Sequence, residues 1–121
     1  MIIGVPKEAD AGETRAAMTP ANASRLVALG ATVQIETGAT GGSGFPDDAF
    51  ASAGVSFVDD RQKLLEVADI ILRVRKPPIE EVAWMKAGAI QISFLDPFKE
   101  TELVAKLATS RISAFSLEML P

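Results

Sequence analysis

Six short apolar runs recur along the 121 residues, most of them separated by segments with helical spacing, and this alternation constrains the fold more than any other feature. A strand buried on both faces reads as a continuous apolar run, and the helices between such strands are what bury it. Residues 2–5 form the first run, closed by Pro6, which cannot donate a ladder hydrogen bond. Residues 7–18 are polar and irregular and read as a long loop. Thr19 and Pro20 suit an N-cap and a first helical position, Ala23, Leu26 and Val27 keep helical spacing, and Gly30 stops the helix. The runs at 32–36, 55–58, 70–74, 89–94 and 112–117 read as five further strands. Helices are expected from about Asp47 to Ala53, from a cap at Asp59 or Asp60 through Val67, from Ile79 to a stop at Gly88, and from Lys99 to Thr109.

The pattern predicts one α/β domain over residues 1–121: three layers, α/β/α, around a mainly parallel, Rossmann- or flavodoxin-like sheet with right-handed crossovers. The chain stops at Pro121, directly after a strand with no covering element beyond it, which suggests a piece of a larger protein.

The residues that are missing narrow the chemistry. There is no cysteine, no histidine and no tyrosine. Ser-His-Asp and Cys-His catalysis cannot be built from this chain alone, and no metal site is expected. Acid–base work would fall to Asp, Glu or Lys. The net charge of −4 argues against nucleic acid and against anionic lipid as partners. Pro6 and the charges after it end the first apolar run too early for a signal peptide, and no stretch approaches the roughly 18 apolar residues of a membrane span.

Four segments are candidate sites. Gly42-Ser43-Gly44 follows a strand and precedes a helix, as in a dinucleotide fingerprint, but Asp47 stands where the third glycine belongs. Asp47 and Asp48 would repel a phosphate at that helix start, so a flexible turn is the favoured reading. Arg15 lies in the loop after the first strand, where open α/β sheets form their ligand crevice. Its guanidinium suits a carboxylate ligand or, by preference from position alone, a salt bridge to Glu8 or Glu13. Arg73, Arg75 and Lys76 end the fourth run, and read either as a patch for an anionic ligand or acidic partner or as a solvated loop edge. Asp96 ends the fifth run, as an acid–base group or, by preference, as the cap of the helix near Lys99.

Taken together, Ile3-Gly4-Val5-Pro6-Lys7-Glu8, Glu13-Thr14-Arg15, Thr19-Pro20, Glu36-Thr37-Gly38-Ala39, Gly42-Ser43-Gly44-Phe45 and Ala53-Gly54-Val55 resemble the opening of the alanine dehydrogenase and transhydrogenase alpha-subunit superfamily. The resemblance covers essentially the whole chain. In the alanine dehydrogenase branch it implies that Arg15 clamps the pyruvate carboxylate, and it calls for a catalytic lysine and a histidine where this sequence has Arg75 and Asp96. Arginine is a poor proton donor, and aspartate cannot act as a neutral imidazole donor. Arg75-Lys76-Pro77-Pro78, the stretch from Ala89 to Pro97 and Ser116-Leu117-Glu118-Met119-Leu120-Pro121 look like the transhydrogenase branch.

That branch implies hydride transfer from NADH to NADP+ coupled to proton movement across a membrane. The implied subunit binds NAD(H) on the cytoplasmic side, forms a homodimer, and works with components that carry NADP(H) and the membrane segments. The resemblance places the nicotinamide-contacting loop and a Rossmann domain after Pro121, so no nucleotide is expected on these residues alone. Arg15, Arg75, Asp96 and Pro121 are the residues expected to line the cleft, with none of them catalytic. Hydride transfer between two nicotinamides needs the rings held close and water excluded rather than a protein acid or base. Two other readings are an alanine dehydrogenase-like enzyme with an altered substrate, and a free-standing binding or regulatory domain using the patch from Arg73 to Lys76.

Overall fold

The computed structural model describes residues 1–120; Pro121 lies outside them. The strands are β1 (Ile2–Val5), β2 (Thr32–Glu36), β3 (Ser56–Val58), β4 (Ile70–Leu72), β5 (Ile90–Ser93) and β6 (Ser113–Ser116). They form one sheet in the order β3-β2-β1-β4-β5-β6, and every pairing is parallel. The order is the Rossmann type of doubly wound sheet. Apolar residues alternate between two separate cores. On one face α1 (Pro20–Ala28) and α2 (Asp47–Ser52) cover Ile3, Val5, Val33 and Ile35, with Phe50 fully buried among them. On the other, α3 (Arg61–Val67) and α4 (Thr101–Thr109) cover Ile71 with Leu64, Leu65, Leu103 and Leu107.

Local chemistry sets the ends of these elements. Thr19 caps α1 by accepting the Asn22 N–H, and Pro20 occupies the first turn. At α3 the cap is Asp60, which accepts the Lys63 N–H, while Asp59 accepts the Thr37 hydroxyl. Helix α3 lies tight on β1, because a Cβ at Gly4 would sit 2.8 Å from Leu64 Cδ2 and 3.0 Å from Ala68 Cβ. Glycine is the residue that permits this approach.

Three expectations need correction. Residues 79–88 do not form an α-helix: Ile79–Trp84 is a 3₁₀ helix, closed by a bond from the Met85 N–H to the Val82 carbonyl. Ile79, Val82 and Met85 recur every third residue and all pack into the second core, which matches the three-residue turn of a 3₁₀ helix. Strand β4 ends at Leu72 instead of Val74, although Arg73 N–H still bonds the Ile92 carbonyl and the Val74 carbonyl accepts from Phe94. Helix α4 begins at Thr101 instead of Lys99, with Glu100 before it and no side-chain cap bond.

Candidate functional site

A parallel sheet brings the exits of all its strands to one edge, and the strand order makes β1 and β4 neighbours whose continuing chains diverge. Ligands in such folds sit outside the carboxyl ends at that switch point. Here the residues after β1 reach across and fasten to the residues after β4. The Glu8 carboxylate accepts the N–H groups of Val74 at 3.0 Å and Arg75 at 2.8 Å. Glu13 accepts from Arg75 Nε at 2.9 Å and holds Arg15 through Nε and Nη2, both at 2.9 Å. The salt-bridge reading of Arg15 is thus realised with Glu13. The bonds to Arg15 first, and then to Arg75, hold the Glu13 carboxyl far below the usual carboxylate range.

The run Arg73 to Lys76 is not a single patch: Arg73 is buried, Arg75 and Lys76 stay exposed at the loop edge, and each cation meets a different carboxylate. Arg73 turns inward to Glu81 at 2.7 Å, where both side chains are nearly covered. Arg75 turns to Glu13, and Lys76 pairs with Glu100. Arg73 belongs to a buried chain of charge. Glu36, at the end of β2, accepts Arg61 Nε at 2.8 Å and the Lys7 N–H at 2.8 Å, and Arg61 bridges onward to Glu81 at 3.2 Å. Bonding to Glu36 raises the Arg61 pKa above its ordinary value. This chain ties β2, α3, the 3₁₀ helix and the exit of β4 under the rim.

The expected cap role of Asp96 also fails. Asp96 is left-handed, with φ of 51°, a region that aspartate tolerates better than most residues. Its backbone makes the turn: the carbonyl accepts the N–H groups of Lys99 and Glu100, and its own N–H joins that of Leu95 on the Glu118 carboxylate. Those two bonds, the one from Leu95 first, lower the Glu118 pKa. Arg75, Lys76, Phe94, Asp96 and Glu118 line an open cleft of about 600 Å³ between the exits of β4 and β5. Arg15 lines a second hollow of about 410 Å³, with Thr19, Ser43, Leu72, Ile92 and Phe94. Arg75 and Asp96 therefore share one cleft, and Arg15 adjoins it through Glu13. Pro121 falls outside the described residues.

The glycine loop lies apart, after β2. Thr40 donates to Asp47 at 2.8 Å, and Asp47 and Asp48 fill the first turn of α2, where a phosphate would have to sit. Gly42 packs on the loop after β1, since a Cβ there would lie 2.8 Å from the Thr14 carbonyl oxygen. Among the described residues no cluster of acidic side chains is arranged to hold a metal, and no helix is long and apolar enough to cross a membrane. Sequence reasoning gave no site role to Glu36, Arg61, Glu81 or Glu118, although Glu36 and Glu118 stand within the family-like motifs; the other signal they offer is charge placed at strand ends or in short helices beside apolar runs.

Residues 4–121 match the family described as "Alanine dehydrogenase/PNT, N-terminal domain". The chain belongs to this family. Its relatives include an NAD(P) transhydrogenase subunit alpha from Cereibacter sphaeroides, 39% identical over 100% of the chain, and an alanine dehydrogenase from Bacillus subtilis, 36% identical over 98%. The chain spans only 23% of the first and 31% of the second. The crystal structure of a transhydrogenase from Sinorhizobium meliloti superposes with a TM-score of 0.92 at 31% identity, covering all of this chain and 36% of that one. The family thus joins dehydrogenases and transhydrogenase subunits, an oxidoreductase setting with a nicotinamide cofactor. The fold seen here is that of its N-terminal domain.

Proposed function

We propose that the chain is the first domain of the NAD(H)-binding alpha subunit of a proton-translocating NAD(P) transhydrogenase, which passes hydride from NADH to NADP+. The observation that carries this reading is that Arg75 and Asp96 line the same cleft after β4 and β5. A dehydrogenase acting on a keto acid needs groups there that donate or share a proton. A guanidinium held by Glu13 and an exposed carboxylate do not replace the lysine and the neutral imidazole donor that the resemblance calls for at these two positions. Transfer between two nicotinamides asks only for position and dryness, which a wall of this kind can offer. In this reading a Rossmann domain following residue 121 carries NAD(H), partner components carry NADP(H) and the membrane path, the subunit is a homodimer, and the domain faces the cytoplasm. Isothermal calorimetry tests the division of labour. The 121-residue chain is expected to bind NADH no tighter than millimolar, and the chain extended through the next domain to bind it well. Tight binding by the 121 residues alone would overturn the assignment of the nucleotide to the following domain.

A second reading is an alanine dehydrogenase-like enzyme with an altered substrate. It is favoured by Arg15, whose side chain is 62% exposed beside the apolar wall of Leu72, Ile92 and Phe94. It predicts NADH oxidation by the extended protein that depends on a 2-oxo acid.

A further inference from the structure

Among the described residues, four buried side-chain polar atoms have no hydrogen-bond partner: Arg73 Nε and Nη1, Gln91 Oε1 and Ser116 Oγ. All four fall in one place. Ile71 stands level with Gln91 and Gln91 with Ala114, and two residues further on Ser93 stands level with Ser116. The bond from the Arg73 N–H to the Ile92 carbonyl continues this ladder and sets Arg73 beside Ser93. Side chains two apart on a strand share a face, and neighbouring strands lie about 4.8 Å apart. Arg73, Gln91 and Ser116 therefore gather on the face that carries Ile71, inside the core built by α3, α4 and the 3₁₀ helix. Arg73 and Gln91 are 2% and 0% exposed, so bulk solvent does not serve them.

Orphaned polar atoms are rare in native interiors, and four of them gathered on adjacent strands call for a shared ligand. Protein groups take up the neighbouring positions only: Glu81 accepts Arg73 Nη2, and the Gln91 amide donates to Ser93 Oγ at 3.1 Å. Arg73 offers donors, Gln91 Oε1 is an acceptor, and the Ser116 hydroxyl can act as either. The ligand must therefore both accept and donate. A halide or a carboxylate only accepts, and a metal ion only takes lone pairs. The nearby charges, Arg73 with Glu81 and Arg61 with Glu36, alternate in sign and cancel, so an ion would enter this interior unbalanced. Water meets each requirement, since internal waters bridge polar groups that the chain leaves unpaired. We infer that Arg73, Gln91 and Ser116 hold internal water between the sheet and the 3₁₀ helix, as a resident ligand that links β4, β5 and β6 just inside their exits. The inference rests on these orphaned atoms alone and stands whichever reaction the full protein performs.

Crystals of the 121-residue chain grown from sodium bromide separate water from an anion. Electron density for water is expected about 2.7–3.2 Å from Arg73 Nε or Nη1, with no anomalous bromide signal beside it. A bromide peak there would overturn the inference, as would a guanidinium whose nitrogens all meet protein groups directly. In solution, oxygen-17 magnetic relaxation dispersion counts the waters held for longer than the molecule takes to tumble. Arg73→Met combined with Glu81→Leu removes the donors and the charge together, and should lower that count by at least one molecule. An unchanged count in the folded double variant would contradict the inference. A rotating-frame Overhauser contact from water to the Arg73 Nε–H, told from proton exchange by its sign, is expected in the unaltered chain. It requires no variant, so it decides the question if the double variant loses its native amide dispersion, and its absence would overturn the inference.

Discussion

Among the described ion pairs, Arg73–Glu81 is the most enclosed, with side chains 1% and 6% exposed. Arg73 Nε and Nη1 have no protein partner, so Glu81 alone balances this buried charge at close range. Enclosed pairs of this kind add little net stability over an apolar pair, but losing one partner strands the other. Glu81→Leu should therefore cost roughly 3–5 kcal/mol in urea denaturation, and Arg73→Met combined with Glu81→Leu should recover most of that loss. A double variant as unstable as the single one would contradict this account. Acid should act on other residues. Glu13 is held below the usual carboxylate range chiefly by Arg15, Asp69 by Lys86, and Glu118 by the Leu95 N–H. With lowered pKa values when folded, these groups let the unfolded chain take up protons first as pH falls. The stability they contribute is then complete above the ordinary carboxylate pKa of about 4.3 and is lost as pH falls through and below it. The urea midpoint should stay level from neutral pH to about 5.5 and fall below about 4.5; a rise on acidification would reverse the assigned sign.

At the scale of elements, the tightest fit is α3 against β1. Gly4→Ala would drive a methyl group into Leu64, which is fully buried, and against Ala68. Overpacking of this kind costs roughly 1–3 kcal/mol, so the thermal midpoint should fall; an unchanged or raised midpoint would show that α3 yields freely. Most elements were legible because their signals are local. Thr19-Pro20 opens α1, Asp60 opens α3, and each apolar run became a parallel strand. The misread elements obey subtler rules. Ile79, Val82 and Met85 fit a helix of either kind when viewed as an apolar stripe, and only their strict three-residue spacing marks the 3₁₀ turn. Asp96 looked like a cap because Asp-Pro often opens helices, but its left-handed backbone forms the turn and pushes the start of α4 to Thr101.

For the whole molecule, the candidate residues that follow strands β1, β4 and β5 lie on the same edge of the sheet, because a parallel sheet sends every strand exit the same way. What joins them was hidden. Glu8 meets Val74 across 66 residues of sequence, and Glu118 meets Leu95 across 23. The order β3-β2-β1-β4-β5-β6, which brings the exits of β1 and β4 together, has no local signature either. That order makes a rim whose cations are matched by carboxylates of the same chain and whose cleft presents Arg75 and Asp96. A wall of this chemistry suits positioning better than proton transfer, and reaction assays of the full-length protein test that contrast most directly. Given NADH and an NADP+ analogue with a distinct absorbance, the protein assembled with its partner components should reduce the analogue. Given NADH, ammonium and pyruvate, it should leave the NADH unconsumed. Pyruvate-dependent oxidation of NADH, with no reduction of the analogue, would contradict the account.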